Sequence, residues 1–223
     1  MKKILVLIII LISSKVLAHM DHYKKYNKIE MDIFRNGELI GYNYYFFTRK
    51  GDETIVTNQI KFSVKLLGAT IFQVEGYGEE KYIKDQLISY ESKTLQNDKE
   101  KFVNLVFDKN KFNIKGSSYS GEASINNIVG NWWSHKILQT DSQISPISGS
   151  IKKQVVTFIG AEKIEQYGKV YNVDRFTLKS KDMTLPKDKR LDFNIWYEPE
   201  TAQIIRVSYS RMGNWEYRLK HFE

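Results

Sequence analysis

Cysteine is absent from all 223 residues, which removes disulfides, thiol nucleophiles and thiolate metal sites together. Three prolines and 13 glycines are too few for a low-complexity or linker-rich chain. Strong charge of one sign is also lacking. Lys and Arg number 34 against 26 Asp and Glu, and the basic residues are scattered, so nucleic acid is not an expected partner. The modest basic excess suits anionic lipid headgroups or envelope polymers instead. No G-x-S-x-G elbow, phosphate loop or H-E-x-x-H helix occurs, so no catalytic residue, metal or cofactor is assigned. Long apolar runs are missing except at the start, where Ile4 to Ile12 follows Lys2 and Lys3.

That start reads as a signal peptide over 1–18, with Val16-Leu17-Ala18 as the cleavage site. The apolar run is shorter than the roughly 20 residues a bilayer span needs. An uncleaved anchor is the alternative. Cleavage after Ala18 gives a periplasmic chain, with no transmembrane span, starting at His19. Without Lys2, Lys3 and Lys15 it carries 31 cations against 26 carboxylates. An exported chain lacking disulfides relies on its core. Hydrophobic residues at 42% and aromatics at 13% supply one, and this length buries roughly 70% of the unfolded surface. His19-Met20-Asp21-His22 would be a polar terminus, read as frayed rather than as a metal site.

The two-residue period of strands governs most of the remaining chain. Asn36-Gly37 between IEMDIFR and LIGYNYYFF is a strong hairpin signal. Tyr42, Tyr44 and Phe46 share one face, and Tyr45 and Phe47 the other. Val56, Ile60, Phe62, Val64 and Leu66 alternate with Thr57, Gln59, Lys61, Ser63 and Lys65, as in a half-buried strand. Strands continue through 86–95, 102–107 and 111–115, then resume at 155–159, 170–178, 191–197, 203–209 and 215–222. A charged loop at 181–190 interrupts them. Ten or more strands must curl or split, and neither half reads as closed, so a single domain over 19–223 is expected.

Ser124 to Leu138 breaks this rhythm. Ile125, Ile128, Val129, Trp132, Trp133 and Ile137 recur at spacings of three and four, which predicts a helical insert near 124–138 with Ser124 as N-cap. The expected fold is therefore mainly β: one curved antiparallel sheet, a half-barrel or open-barrel meander, cupping one helical segment.

Trp132 and Trp133 are the most pointed pair. Adjacent indoles line apolar pockets, although core packing accounts for them more economically. The candidate ligand-binding set is Trp132, Trp133, Ile128, Val129 and Ile137, with Phe62 and Tyr44 from the facing strands. His135 lacks an acid-base partner by spacing and reads as hydrogen-bonded or solvent-facing. Glu75, Glu79 and Glu80 flank Gly76-Tyr77-Gly78; a solvated strand end accounts for them better than paired catalytic carboxylates do.

The order of features (the Asn36-Gly37 hairpin, SVKLLGATIFQVEGYGEEKY, NWWSHKIL and DFNIWYEPETAQIIRVSYSRMGNWEYRL) resembles an uncharacterised exported bacterial family, the domain of unknown function numbered 6134. More remotely the layout is similar to the half-barrels of periplasmic lipoprotein carriers. The family carries no activity to transfer, and the carrier likeness concerns the fold alone. The expected function is a non-catalytic periplasmic binding or carrier protein for an apolar or acyl-bearing ligand, its partner a lipid or lipoprotein acyl chain. Alternatives are an envelope assembly factor that binds an envelope protein through the sheet, and an envelope-polymer hydrolase.

Overall fold

A computed structural model describes residues 19–223; the signal-peptide expectation falls on residues outside these. Fifteen strands form one sheet. From the N-terminus they are β1 (Lys28–Arg35), β2 (Glu38–Lys50), β3 (Glu53–Leu66), β4 (Ala69–Ile83), β5 (Gln86–Gln96), β6 (Lys99–Asp108), β7 (Lys111–Gly116) and β8 (Ser120–Ser124). After the crossing come β9 (Ile128–Val129), β10 (Ser142–Ile144), β11 (Ile151–Gln166), β12 (Lys169–Ser180), β13 (Asp192–Glu198), β14 (Gln203–Ser210) and β15 (Asn214–Phe222). Spatially the order runs β8 back to β1, then β15 back to β9. Sheet neighbours are therefore chain neighbours everywhere except at the β1–β15 join, and the consecutive strands β8 and β9 form the two edges. All ladders are antiparallel but the short β9–β10 pair.

This order forces the curl. Laid flat, fifteen strands at the usual spacing of about 4.8 Å would put β8 and β9 some 65 Å apart. Yet only residues 125–127 separate them in the chain, a reach of roughly 14 Å when fully extended. The sheet must bend until its edges nearly meet. They do not pair; the seam is bridged by Ser118 N–H donating to Ser148 O at 3.0 Å, joining the β7–β8 turn to the loop after β10. An unclosed barrel results.

Turn chemistry follows the sequence closely. Asn36 and Gly37 both take positive φ, 50° and 84°, as a two-residue hairpin of the primed type requires. Gly41 is needed for space instead: a Cβ there would run into the Lys61 carbonyl and the Phe62 backbone. Hairpin turns fall at two ends. Turns at 36–37, 67–68, 97–98 and 211–213 share the upper end with loops 145–150 and 181–190, and those at 51–52, 84–85, 167–168 and 199–202 share the lower.

The helix expected over 124–138 is not formed. Its residues enter the bowl as predicted, but as β9, an extended stretch, and a single 3-10 turn at His135–Leu138. Asn131 and Trp133 both donate to Glu80, so alternate residues must point the same way. Positions 131 and 133 are two apart, the period of a strand; a helix would set them about 200° apart. Ser124 closes a local turn rather than capping a helix, its Oγ accepting from Asn126 N at 3.2 Å. A second 3-10 turn, His19–Tyr23, replaces the expected frayed terminus and buries Met20 and Tyr23 at the lower end.

Candidate functional site

The crossing segment is fastened to the sheet at three polar points. Glu80 of β4, 2% exposed, accepts from Tyr82 Oη at 2.5 Å, Asn131 Nδ2 at 2.6 Å and Trp133 Nε1 at 2.8 Å. Burial raises its carboxyl above the ordinary range, and the three donors pull it part of the way back. Tyr45 of β2 accepts from Trp132 N–H at 3.1 Å and from Asn43 Nδ2 at 2.8 Å. Lower down, Tyr23 Oη meets His135 Nδ1 at 2.7 Å and donates to Ala202 O at 3.1 Å. His135 also lies edge-on to His22, with ring centroids 5.2 Å apart. Burial foremost, then the neighbouring His22, lowers its pKa to about 4, so the ring is neutral near pH 7.

These anchors divide the interior in two. Below them the space is filled: Trp133 packs edge-on to Tyr23 and Phe47 at 5.0 and 5.4 Å. Above lies a cleft of about 650 Å³. Trp132 forms part of its wall, edge-on to Phe193 at 5.1 Å and tilted against Tyr217 at 6.3 Å. Tyr45, Ile60 and Tyr209 add further apolar surface, while Asn43, Asn58, Ser92, Thr94 and Gln143 supply amides and hydroxyls. Asn58 Nδ2 donates to Asn43 Oδ1 at 2.6 Å, continuing the chain that ends on Tyr45. At the lip, Lys152, Lys179, Lys187, Lys189, Arg190 and Arg211 face only Asp188 and Asp192. Such a hollow can hold a molecule with an apolar body and several acceptors, its anionic end turned toward the lip.

Of the seven residues read from the sequence as ligand-binding, Trp132 lines this cleft. Trp133 and Ile137 are fully buried in the filled half, and Val129 is buried on β9 beside half-buried Ile128. Phe62 sits above the cleft against Phe72 and Trp215 at 5.9 and 5.5 Å. Tyr44 lies on the outer face, stacked on Tyr42 at 4.4 Å. In β2 the inward series is Asn43, Tyr45 and Phe47, the reverse of the register implied by placing Tyr44 inside. Glu75 is solvated as expected, but Glu80 is not, because Trp133 covers it. The polar lining was missed too, although a signal existed. Asn43 and Asn58 interrupt otherwise apolar inward series, and a polar residue at a core position flags a functional or specifying role.

Among the described residues no three metal-ligating side chains converge, and no helix is long and apolar enough to cross a membrane. The fold is similar to that of the crystal structure of a beta-barrel-like protein of domain of unknown function DUF1849 from Brucella abortus. That pair has a TM-score of 0.60 and 9% identity, over 88% of this chain and 96% of the other. A DUF1329 family protein from Desulfovibrio piger aligns over 92% of this chain and 88% of its own at 10% identity, with a TM-score of 0.28 that adds nothing to the comparison. No curated protein sequence matches significantly. The profile of the family described as domain of unknown function DUF6134 matches residues 31–220.

Proposed function

The chain belongs to the DUF6134 family, and we propose that it is a periplasmic binding or carrier protein. Its ligand is an acyl-bearing or otherwise apolar molecule with polar substituents, held in the cleft beside Trp132. The observation that supports this is the unequal filling of the bowl. The crossing segment packs tightly below Glu80, yet about 650 Å³ remains open above it, within the usual range for small-molecule sites. A segment serving only as core would fill both halves.

Asn43, Asn58, Ser92 and Thr94 at inward positions give the wall polar groups, part of whose bonding is met within the protein, and this favours a ligand with polar groups of its own over a bare hydrocarbon. Native mass spectrometry of gently purified protein should detect a co-purifying small molecule. A fluorescent acyl probe should bind the protein, and Trp132→Ala should weaken that binding about tenfold, the loss expected for one aromatic wall. Binding of the probe by Trp132→Ala at wild-type strength, or failure of the wild type to hold either molecule, would overturn the reading.

A further inference from the structure

The upper end of the barrel, where the cleft has its lip, carries apolar side chains that neither packing nor turn chemistry accounts for. Leu67 at the β3–β4 tip is 99% exposed and Met212 at the β14–β15 tip 89%. Both hold left-handed backbone, with φ of 51° and 50°. That conformation suits Asn or Gly and disfavours a bulky side chain. The same chain uses Asn at the equivalent places in two other upper turns, Asn36 and Asn97. At 67 and 212 it accepts the poorer turn residue and leaves it in water. Leu39, Leu66, Ile71 and Met183, each more than half exposed, lie on the same end. The hairpins of Leu67, Asn36 and Met212 are consecutive in the sheet, so at about 10 Å per hairpin the patch spans roughly 20 Å. The 36 and 212 tips are tied together by Arg35 Nη2 donating to Met212 O and by Asn214 N–H donating to Asn36 Oδ1.

Charge is concentrated on this end as well. Segments 35–39, 65–71, 181–190 and 211–213 hold seven Lys and Arg against three Asp and Glu. With Asp98 of the 97–98 turn counted too, this end carries +3 of the +5 net charge of residues 19–223. Lys181, Lys187 and Lys189 form no ion pair among the described residues. Scattered exposed leucines need no explanation. Fully exposed aliphatic tips framed by unpaired cations do, and this is the pattern of a surface that enters the interface of an anionic bilayer.

We propose that the upper end is a membrane-docking surface. The Leu67 and Met212 tips enter the headgroup boundary of an anionic bilayer, the cations at 181–190 lie on its phosphates, and the lip of the cleft faces the lipid. The cations at 187–190 also form the lip of the cleft, but the Leu67 and Met212 tips lie outside its lining, so the tip variant tests docking apart from ligand binding and the two proposals fail independently.

The test uses co-sedimentation with phosphatidylethanolamine vesicles that contain or lack phosphatidylglycerol. Wild-type protein should sediment with the anionic vesicles at low salt and be released as salt is raised. The double variant Leu67→Asn, Met212→Asn should lose at least about tenfold in partitioning. Asn is favoured in the left-handed turn, so this variant should melt no lower than wild type, and its loss cannot be assigned to unfolding. Lys187→Gln, Lys189→Gln should weaken binding to anionic vesicles and abolish the salt response in part. Acyl-probe binding should be unchanged in the double variant. The proposal is overturned if wild type ignores anionic vesicles, if the double variant sediments as wild type does, or if the tips prove to be covered by a second copy in a dimer that the variant dissociates.

Discussion

Replacing Glu80 tests whether the crossing segment is fastened by hydrogen bonds to one buried carboxylate. In Glu80→Leu the Tyr82 hydroxyl, the Asn131 amide and the Trp133 indole lose their common acceptor. A stranded buried donor costs about 1–3 kcal/mol, so three should cost roughly 3–6 kcal/mol, reduced where Tyr82 turns its hydroxyl elsewhere. Glu80→Gln keeps an oxygen for Asn131 and Trp133 and should stay within about 1 kcal/mol of wild type in acid. The two then separate with pH. Because burial raises the Glu80 carboxyl in the folded state, the folded protein binds this proton more tightly than the unfolded chain does. The stability it contributes is complete below the ordinary carboxylate range and is lost as pH rises through the folded pKa. Glutamine lacks that dependence. Urea unfolding followed by tryptophan fluorescence at several pH values should show Glu80→Gln gaining on wild type with rising pH, by at most about 1.4 kcal/mol per pH unit. His135 contributes equally to both proteins and drops out of the difference. A difference that stays flat as pH rises from the ordinary carboxylate range upward, or a Glu80→Leu protein within about 1 kcal/mol of wild type, would refute the reasoning.

Tyr45→Phe leaves Trp132 N–H and the Asn43 amide without their acceptor; a cost of about 2 kcal/mol should lower the melting temperature by roughly 4–8 °C in a scan. His135, held neutral by burial with a pKa of about 4, should remain unprotonated in NMR titrations well below pH 6. Its sign opposes that of Glu80: stability should fall as pH drops from about 6.5. Gly41→Ala should destabilise by about 3 kcal/mol or more, since the added carbon meets backbone of β3 that cannot move aside. Equal denaturation midpoints for Gly41→Ala and wild type would show that this approach is looser than described.

Where the residue period carried one meaning, the sequence could be read directly. Val56, Phe62 and Val64 point inward as their alternation with Lys61, Ser63 and Lys65 requires, and Asn36-Gly37 forms the turn its φ preferences dictate. Two places carried a double meaning. In 42–47 both faces are aromatic, so nothing local separates Tyr44 from Tyr45; the choice is made by Trp132 N–H and Asn43, which need the Tyr45 hydroxyl inside. In 124–138 the spacing of apolar residues imitates a helix, but Asn126, Asn127, Gly130, Asn131 and Ser134 are poor helix formers. Asn127, Gly130, Asn131 and the Trp132 N–H find partners beyond the segment, and Gly130 leaves the space that the Gln143 side chain occupies. Those partners come from β4, β2 and β10, distances in sequence that periodicity cannot see. The cleft was illegible for a related reason, since an unfilled volume belongs to the assembled sheet and to no stretch of residues.

The join between β1 and β15 has a further consequence for how copies of this protein treat one another. Every other ladder links consecutive strands and can zip locally, whereas this one waits for partners almost two hundred positions apart. Until it closes, two finished half-sheets each present a bare border of unsatisfied amides. A border of β1 accepts β15 from any molecule, so crowding during refolding should favour reciprocal strand exchange, and dilution should suppress it.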